Sequence, residues 1–143
     1  MASRHFRAGV VAVVERSDGL ILAFERADAP GSWQLPQGGI EPGEEARDAV
    51  WRELKEETSL TAGEVALVSE YPEWVPYEWP VAVTAGRKGI GQIQRWFTFS
   101  ANTDDITPTP DGSEFTNWKW VERSWLVDHV IGFRQPAYRR VLG

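Results

Sequence analysis

Three glutamates, Glu53, Glu56 and Glu57, stand in the run Arg52-Glu53-Leu54-Lys55-Glu56-Glu57. With Ala46 as the zero of a helical wheel turning about 100° per residue, Ala49, Val50 and Leu54 fall within about 80° and form a core-facing stripe. Glu53 and Glu57 fall within roughly 20° of the same zero, with Glu56 close beside them, while Trp51, Lys55, Asp48 and Arg52 fall on the outer side. Like charges at i, i+4 repel, and a carboxylate aimed at a protein interior is costly without a partner. Converging carboxylates with no Cys or His nearby suit a hard divalent cation, Mg²⁺ or Mn²⁺.

The elements that must position these carboxylates are legible around them. Gly38-Gly39-Ile40-Glu41-Pro42-Gly43 brings backbone close to the helix, which glycine permits, and Pro42-Gly43 halts the chain in a turn. Glu44, Glu45 and Asp48 place negative charge at the start of a helix predicted over 44–59. A valine-rich strand is predicted over 6–14, with Arg7 its one charge, followed by a Ser-Asp-Gly turn and a second strand over 20–24. A loop over 27–32 and an extended piece at 33–36 lead into the glycines. Further strands are expected over 65–71, 93–100 and 118–121. Residues 72–91 are broken by Pro72, Pro76, Pro80, Gly86, Gly89 and Gly91 and hold Trp74, Tyr77 and Trp79, as a packed flap or a ligand wall. A polar loop spans 102–112, Ser124 is placed to cap a short helix through His129, and Pro136 suits the first turn of a last helix over 137–142. Strands mixed with two or three helices give an α/β or α+β class, a mixed sheet between helical layers.

The chain has 143 residues, room for one domain spanning 1–143. Its 42% hydrophobic and 12% aromatic content excludes general disorder. Absence of cysteine excludes disulfides and thiolate metal sites. No apolar run reaches signal-peptide or membrane-span length, so a cytoplasmic, membrane-free protein is the expectation. A net charge of −6 argues against a broad surface for duplex DNA, but not against gripping a polyphosphate end. His5 and His129 are too scattered for a histidine-based site. Nothing in the sequence fixes the oligomeric state.

Gly38, five residues, Glu44, seven residues, Arg52-Glu53-Leu54, one residue and Glu56-Glu57 together resemble the Nudix box, the motif of hydrolases that cleave nucleoside diphosphates linked to another group. Ser59 stands where that family usually has Gly; a left-handed helix end there would cost a non-Gly residue roughly 1 kcal/mol, so a slightly different helix exit is expected. Beyond the box, Ser32-Trp33-Gln34-Leu35-Pro36-Gln37-Gly38-Gly39, Gly91-Gln92-Ile93-Gln94-Arg95-Trp96-Phe97, Glu114-Phe115-x-x-Trp118-x-Trp120 and Phe133-Arg134-x-x-x-Tyr138-Arg139-Arg140-Val141 resemble the bacterial RNA pyrophosphohydrolase and dinucleoside-polyphosphate hydrolase branch.

The resemblance implies an α-β-α sandwich and a site holding two or more Mg²⁺ ions, with Mn²⁺ a substitute. It implies Glu53, Glu56, Glu57, Glu114 and a backbone carbonyl near Gln37 or Gly38 as metal ligands. Glu57 or Glu114 takes the proton of the attacking water, and Arg52 orients the glutamates. For substrate it implies Arg7 and Arg95, and more weakly Arg26, on the phosphates. Tyr77 stands either near the phosphate chain or in packing. Phe133 and Arg134 form a base clamp, for which a buried Phe beside a surface Arg is the plain alternative. The substrate that the resemblance implies is the 5′-triphosphate end of RNA, a diadenosine polyphosphate such as Ap4A, or both. A nucleoside triphosphate-sanitising hydrolase, a nucleotide-binding domain without turnover and an interaction module built on the Trp-rich segment 72–80 remain the alternatives.

Overall fold

The valine-rich run becomes β1 (Phe6–Glu15), whose residues Gly9 to Val14 are all buried. Alternation sends Val10, Ala12 and Val14 to one side and Val11 and Val13 to the other, so the strand is covered on both faces. The computed structural model describes residues 5–84 and 89–143; the N-terminal residues 1–4 and Gly86, used in the sequence reading, lie outside the described residues. β1 pairs in parallel along its whole length with β7 (Gly91–Ala101), from Phe6 opposite Gly91 to Glu15 opposite Ser100. The far edge of β7 is shared by two antiparallel strands, β5 (Val65–Glu70) and β6 (Val75–Glu78). β6 was hidden in the sequence by its Pro76. It is an outer strand, where a missing N–H is tolerated.

On its other side β1 joins β2 (Ile21–Arg26) through the expected turn, with Gly19 at φ +89°. The hairpin then forks: Glu15 opposite Ile21 is the one register pair between the two strands. Into the fork comes β4 (Gln37–Gly39), antiparallel to β1 with Gln37, Gly38 and Gly39 opposite Val11, Val10 and Gly9. β2 carries β3 (Trp33–Gln34) and β8 (Phe115–Val121), the latter longer at its start than the expected 118–121. The parallel β1–β7 pair among antiparallel neighbours makes the sheet mixed, as expected.

Helix α1 (Ala46–Thr58) covers one face of the sheet, burying Ala49, Val50 and Leu54 against Val10, Phe97 and Phe99. A single turn, α2 (Val81–Thr84), follows β6. Helices α3 (Arg123–His129) and α4 (Gln135–Leu142) cover the opposite face, where Leu126 and Tyr138 meet Val11, Val13 and Trp96. This is the expected sandwich. Each fully buried Val or Leu in these layers contributes about 1.5–3 kcal/mol. Among the described residues no helix is long and apolar enough to cross a membrane.

Three local expectations are corrected. Ser59 itself adopts the left-handed conformation at φ 64°, the one positive φ outside glycine among the described residues, and its N–H donates to the Lys55 carbonyl. The helix exit is therefore retained and its strain tolerated, because Thr58 and Leu60 on either side are buried. Ser124 lies inside α3, which starts one residue earlier after Glu122 without a side-chain cap. Trp51 and Arg52 do not point away from the body. Trp51 sets an edge against Phe99, with ring centroids 4.9 Å apart, and Arg52 folds back over the glycine loop.

Candidate active site

The fork between β1 and β2 creates the site, because β4 lays its glycines across the carboxylate face of α1. A Cβ added to Gly38 would lie 2.0 to 2.3 Å from the carboxyl atoms of Glu53, so only glycine leaves room for that carboxylate. Gly9, opposite Gly39 on β1, is also tight; its Cβ would come within 2.9 Å of the Gly38 carbonyl oxygen. One turn along α1, Glu57 is buried and accepts the Gln37 backbone N–H at 3.0 Å. Burial above all, then the negative charges of Glu53, Glu114 and Asp111, pushes the Glu57 carboxyl up to about 9, opposed by the Gln37 N–H. Burial likewise raises Glu53, with Arg52 opposing.

Arg52 ties this cluster together. Its guanidinium donates to Glu44 at 2.8 and 2.9 Å, to Glu53 at 2.8 Å and to the Gly39 carbonyl at 2.9 Å. Glu56 stands at 3.5 Å on the rim, largely exposed. The hydrogen bonds from Arg52, and then the Glu41 N–H, hold the Glu44 carboxyl down at about 2. Glu44 thus belongs to the scaffold of the loop, as its place at the helix start suggested.

Glu114 arrives from the other side of the fork. Asp111 Oδ1 accepts the backbone N–H groups of Ser113, Glu114 and Phe115 at 3.1, 2.9 and 3.1 Å, which fixes the turn. The turn is clasped to the end of α1, where the Asp111 N–H donates to the Glu57 carbonyl. Asp111 was absent from the sequence reading; the Asp111-Gly112 pair, with Gly112 at φ +83°, was its available signal.

Among the described residues no three His, Cys, Asp or Glu side chains already surround a metal-sized point. The reason is local: Glu53 is turned to Arg52 and Glu56 to solvent. The donor set nonetheless fits a hard cation. It is all oxygen, and the buried Glu57 feels Glu53 and Glu114 as like charges that a cation between them would relieve.

Beside the carboxylates opens a cleft of about 380 Å³, lined by Arg7, Arg26, Arg134, Gln34, Gln37, Gly38, Gly39, Trp79, Gln92 and the carboxylates Asp28 and Glu114. Arg7 lies opposite Gln92 in the β1–β7 register. Arg26 is held by Asp28 at 2.8 and 2.9 Å. Arg134 is buried, and its hydrogen-bond and ring partners are neutral: Gln34 Oε1 at 3.0 Å, the Tyr77 hydroxyl at 3.4 Å and the faces of Tyr77 and Phe133. Next to it lies a second recess of about 400 Å³, mostly apolar, walled by Phe6, Pro76, Tyr77, Phe133 and Pro136. Tyr77 and Phe133 are 5.8 Å apart and tilted by 36°.

Of the sequence candidates, Arg7, Arg26, Arg134, Gly38 and Glu114 line one cleft, Glu53 and Glu57 flank it, and Tyr77 and Phe133 line the adjoining recess. Phe133 and Arg134 are not a buried ring beside a surface cation: Arg134 is the buried one and Phe133 is partly exposed. Arg95 is placed elsewhere. It is opposite Val10, on the α1 face, where it pairs with Glu70 and lies over Trp74. Gln92 and Gln94, one residue out of phase, take the cleft face instead. Gln94 is buried and donates to Gln92 and Gln37 at 2.9 and 3.3 Å. Trp79 lines the cleft, in keeping with the ligand wall that the 72–91 segment offered, whereas Gln34, Gln92 and Gln94 were given no role from the sequence, since amides within strands carry no spacing pattern.

The NUDIX domain family matches residues 5–141. An RNA pyrophosphohydrolase of Zymomonas mobilis is 36% identical over 148 residues, covering 99% of this chain and 96% of that protein. Among solved structures, the Escherichia coli dihydroneopterin triphosphate pyrophosphohydrolase superposes with a TM-score of 0.78 at 20% identity, covering 99% of this chain and 98% of its own. A Caenorhabditis elegans Ap4A hydrolase binary complex gives 0.71 at 21% identity, covering 94% and 93%.

Proposed function

The chain belongs to the NUDIX domain family, a Nudix hydrolase by its relatives, and from that premise we propose that it cleaves phosphoanhydrides of 5′-triphosphorylated RNA ends and of diadenosine polyphosphates such as Ap4A. The observation that carries this reading is the neighbouring pair of cavities. One is polar, lined by three arginines and the carboxylates Asp28 and Glu114. The second is apolar and aromatic, its Tyr77 and Phe133 in contact with Arg134. A phosphate chain suits the first and a nucleobase the second, stacked on Phe133 beside Tyr77. The identity to an RNA pyrophosphohydrolase over nearly the whole chain supports the RNA end; the net charge of −6 supports the small dinucleotide.

Divalent metals are a general requirement of Nudix hydrolases. Here Mg²⁺, with Mn²⁺ as a substitute, would be held by Glu53, Glu56, Glu57, Glu114 and the Gly38 carbonyl in two or more sites. When bound, such ions acidify a coordinated water and offset phosphate charge. The chain does the rest. Arg52 fixes Glu53 against the Gly38 backbone, while Glu57 or Glu114 takes the proton from the attacking water. Water adds to phosphorus and the bridging P–O bond breaks, sending the electron pair to the departing phosphate. Arg7, Arg26 and Arg134 bind the phosphate oxygens as charge develops on them.

A side-by-side assay in Mg²⁺ with Ap4A and a short 5′-triphosphorylated RNA, resolving the products, tests the proposal. Pyrophosphate or phosphate released from the RNA, or ATP formed from Ap4A, is the expected result. Inactivity on both overturns it.

A further inference from the structure

Gln34 lines the cleft almost wholly buried, 3% exposed, in the two-residue strand β3 where its backbone pairs with Phe24. Its amide oxygen receives two guanidiniums at once, Arg134 at 3.0 Å and Arg26 at 3.4 Å. Arginine donates only, so chemistry fixes the amide with its oxygen toward both. Two cations brought to one atom repel each other. A carboxylate of nearly the same shape would relieve that repulsion better than an amide, but would also cancel one of the two charges. Asp28 ion-pairs with Arg26 from the exposed side and acts on Arg134 only through space; among the described residues no carboxylate forms an ion pair with Arg134. A buried guanidinium without an ion-pair partner is costly unless an anion arrives.

We infer that Gln34 is a positioning residue: its neutral oxygen holds Arg26 and Arg134 together at the cleft without neutralising them, so that they bind the substrate's phosphates as a pair. This deepens the reading of the cleft as a polyphosphate site and rests on it. The ligand class is a polyphosphate whose terminal or bridging phosphate spans both guanidiniums, which a monophosphate would engage more weakly.

The test is calorimetric binding of inorganic tripolyphosphate in Mg²⁺ buffer to the full chain and to Gln34→Glu, Gln34→Met, Arg134→Ala and Gln34→Met/Arg134→Ala, each checked by thermal melting. Gln34→Glu keeps an acceptor for both arginines, so it melts at or above the parent temperature yet binds about tenfold more weakly or worse, the scale of one charge-assisted hydrogen bond. Gln34→Met also loses affinity, and the double variant binds little worse than Arg134→Ala, because Gln34 acts through that arginine. In turnover the loss falls on KM rather than kcat. Affinities of Gln34→Glu within twofold of the parent overturn the inference, as does a Gln34→Met loss that simply adds to that of Arg134→Ala. Should Gln34→Met fail to fold, Gln34→Glu decides alone. Binding does not require turnover, so failure of the Ap4A and RNA assay leaves this measurement readable.

Discussion

The Glu53 carboxylate occupies the space in which a side chain on Gly38 would have to stand. The clash involves the far end of a flexible side chain, so the fold can absorb it while the carboxylate cannot keep its place. Gly38→Ala is therefore expected to melt within a few degrees of the parent. Its Mg²⁺-dependent turnover should fall about a hundredfold, the usual consequence of displacing a site group by an ångström. Undiminished turnover would show that Glu53 does not need this seat.

Glu57→Gln should fold and lose most activity. It also carries a pH signature. The Glu57 carboxyl stands at about 9 in the metal-free fold against 4.5 unexposed to these neighbours. Between those values the folded state holds the proton that the unfolded state has released. Stability from this group is present below about 4.5 and is lost as pH rises toward about 9, with a slope of up to about 1.4 kcal/mol per pH unit. Denaturant titrations in chelator at pH 6, 7 and 8 should show that decline in the parent and a flatter profile in Glu57→Gln. Identical slopes would remove the carboxylate-crowding account.

Arg52→Lys keeps the charge but replaces a planar fork that serves Glu44, Glu53 and Gly39 at once. The Mg²⁺ concentration giving half-maximal activity should rise about 10- to 100-fold, the range for groups that orient ligands. A Mg²⁺ titration of initial rates reads it directly, and an unshifted midpoint would leave Arg52 without an orienting part.

Arg95 and Arg134 make opposite forecasts. With Arg95 tied to Glu70 on the α1 face, Arg95→Ala should leave KM for Ap4A within about twofold, the scale of an exposed ion pair. Arg134→Ala should raise it tenfold or more, as loss of a charge-assisted contact does. Reversal of the two would move the phosphate site to the other side of the sheet.

Ser59→Gly should stabilise the chain by up to about 1 kcal/mol, since glycine takes φ 64° without a Cβ penalty. A rise of a few degrees in melting temperature with kcat unchanged is the expected readout; a fall would mean that the gain in unfolded-chain freedom outweighs the relieved strain.

The carboxylate helix was legible because α1 obeys the 3.6-residue period and its glycine loop announces close approach. β1 was legible because six buried residues in succession leave few other readings. Apart from the Ser59 exit, the Ser124 cap and the outer face of α1, the errors came from pairing rather than local pattern. Arg95 shares the strand parity of Phe97 and Phe99, which pack under α1, and that parity outranks its neighbourhood to Trp96. β6 was masked by Pro76, and Asp111 acts through backbone N–H groups that sequence does not display. Gln34 became visible only when strands β2 and β3 brought Arg26 within reach of the C-terminal Arg134.

The parallel pairing of β1 with β7 has a consequence for how this protein comes to exist. Strand β1, bearing Arg7, is synthesised early, but its partner β7 follows only after the acidic helix, β5 and β6. Such distant pairing makes for slow, cooperative assembly. The last of the cleft's arginines in sequence order, Arg134, follows every strand, so a polypeptide stopped short of it can hold the whole carboxylate helix and still lack one of the three cations that grip phosphate. Full hydrolytic competence should appear only once Arg134 has joined the cleft.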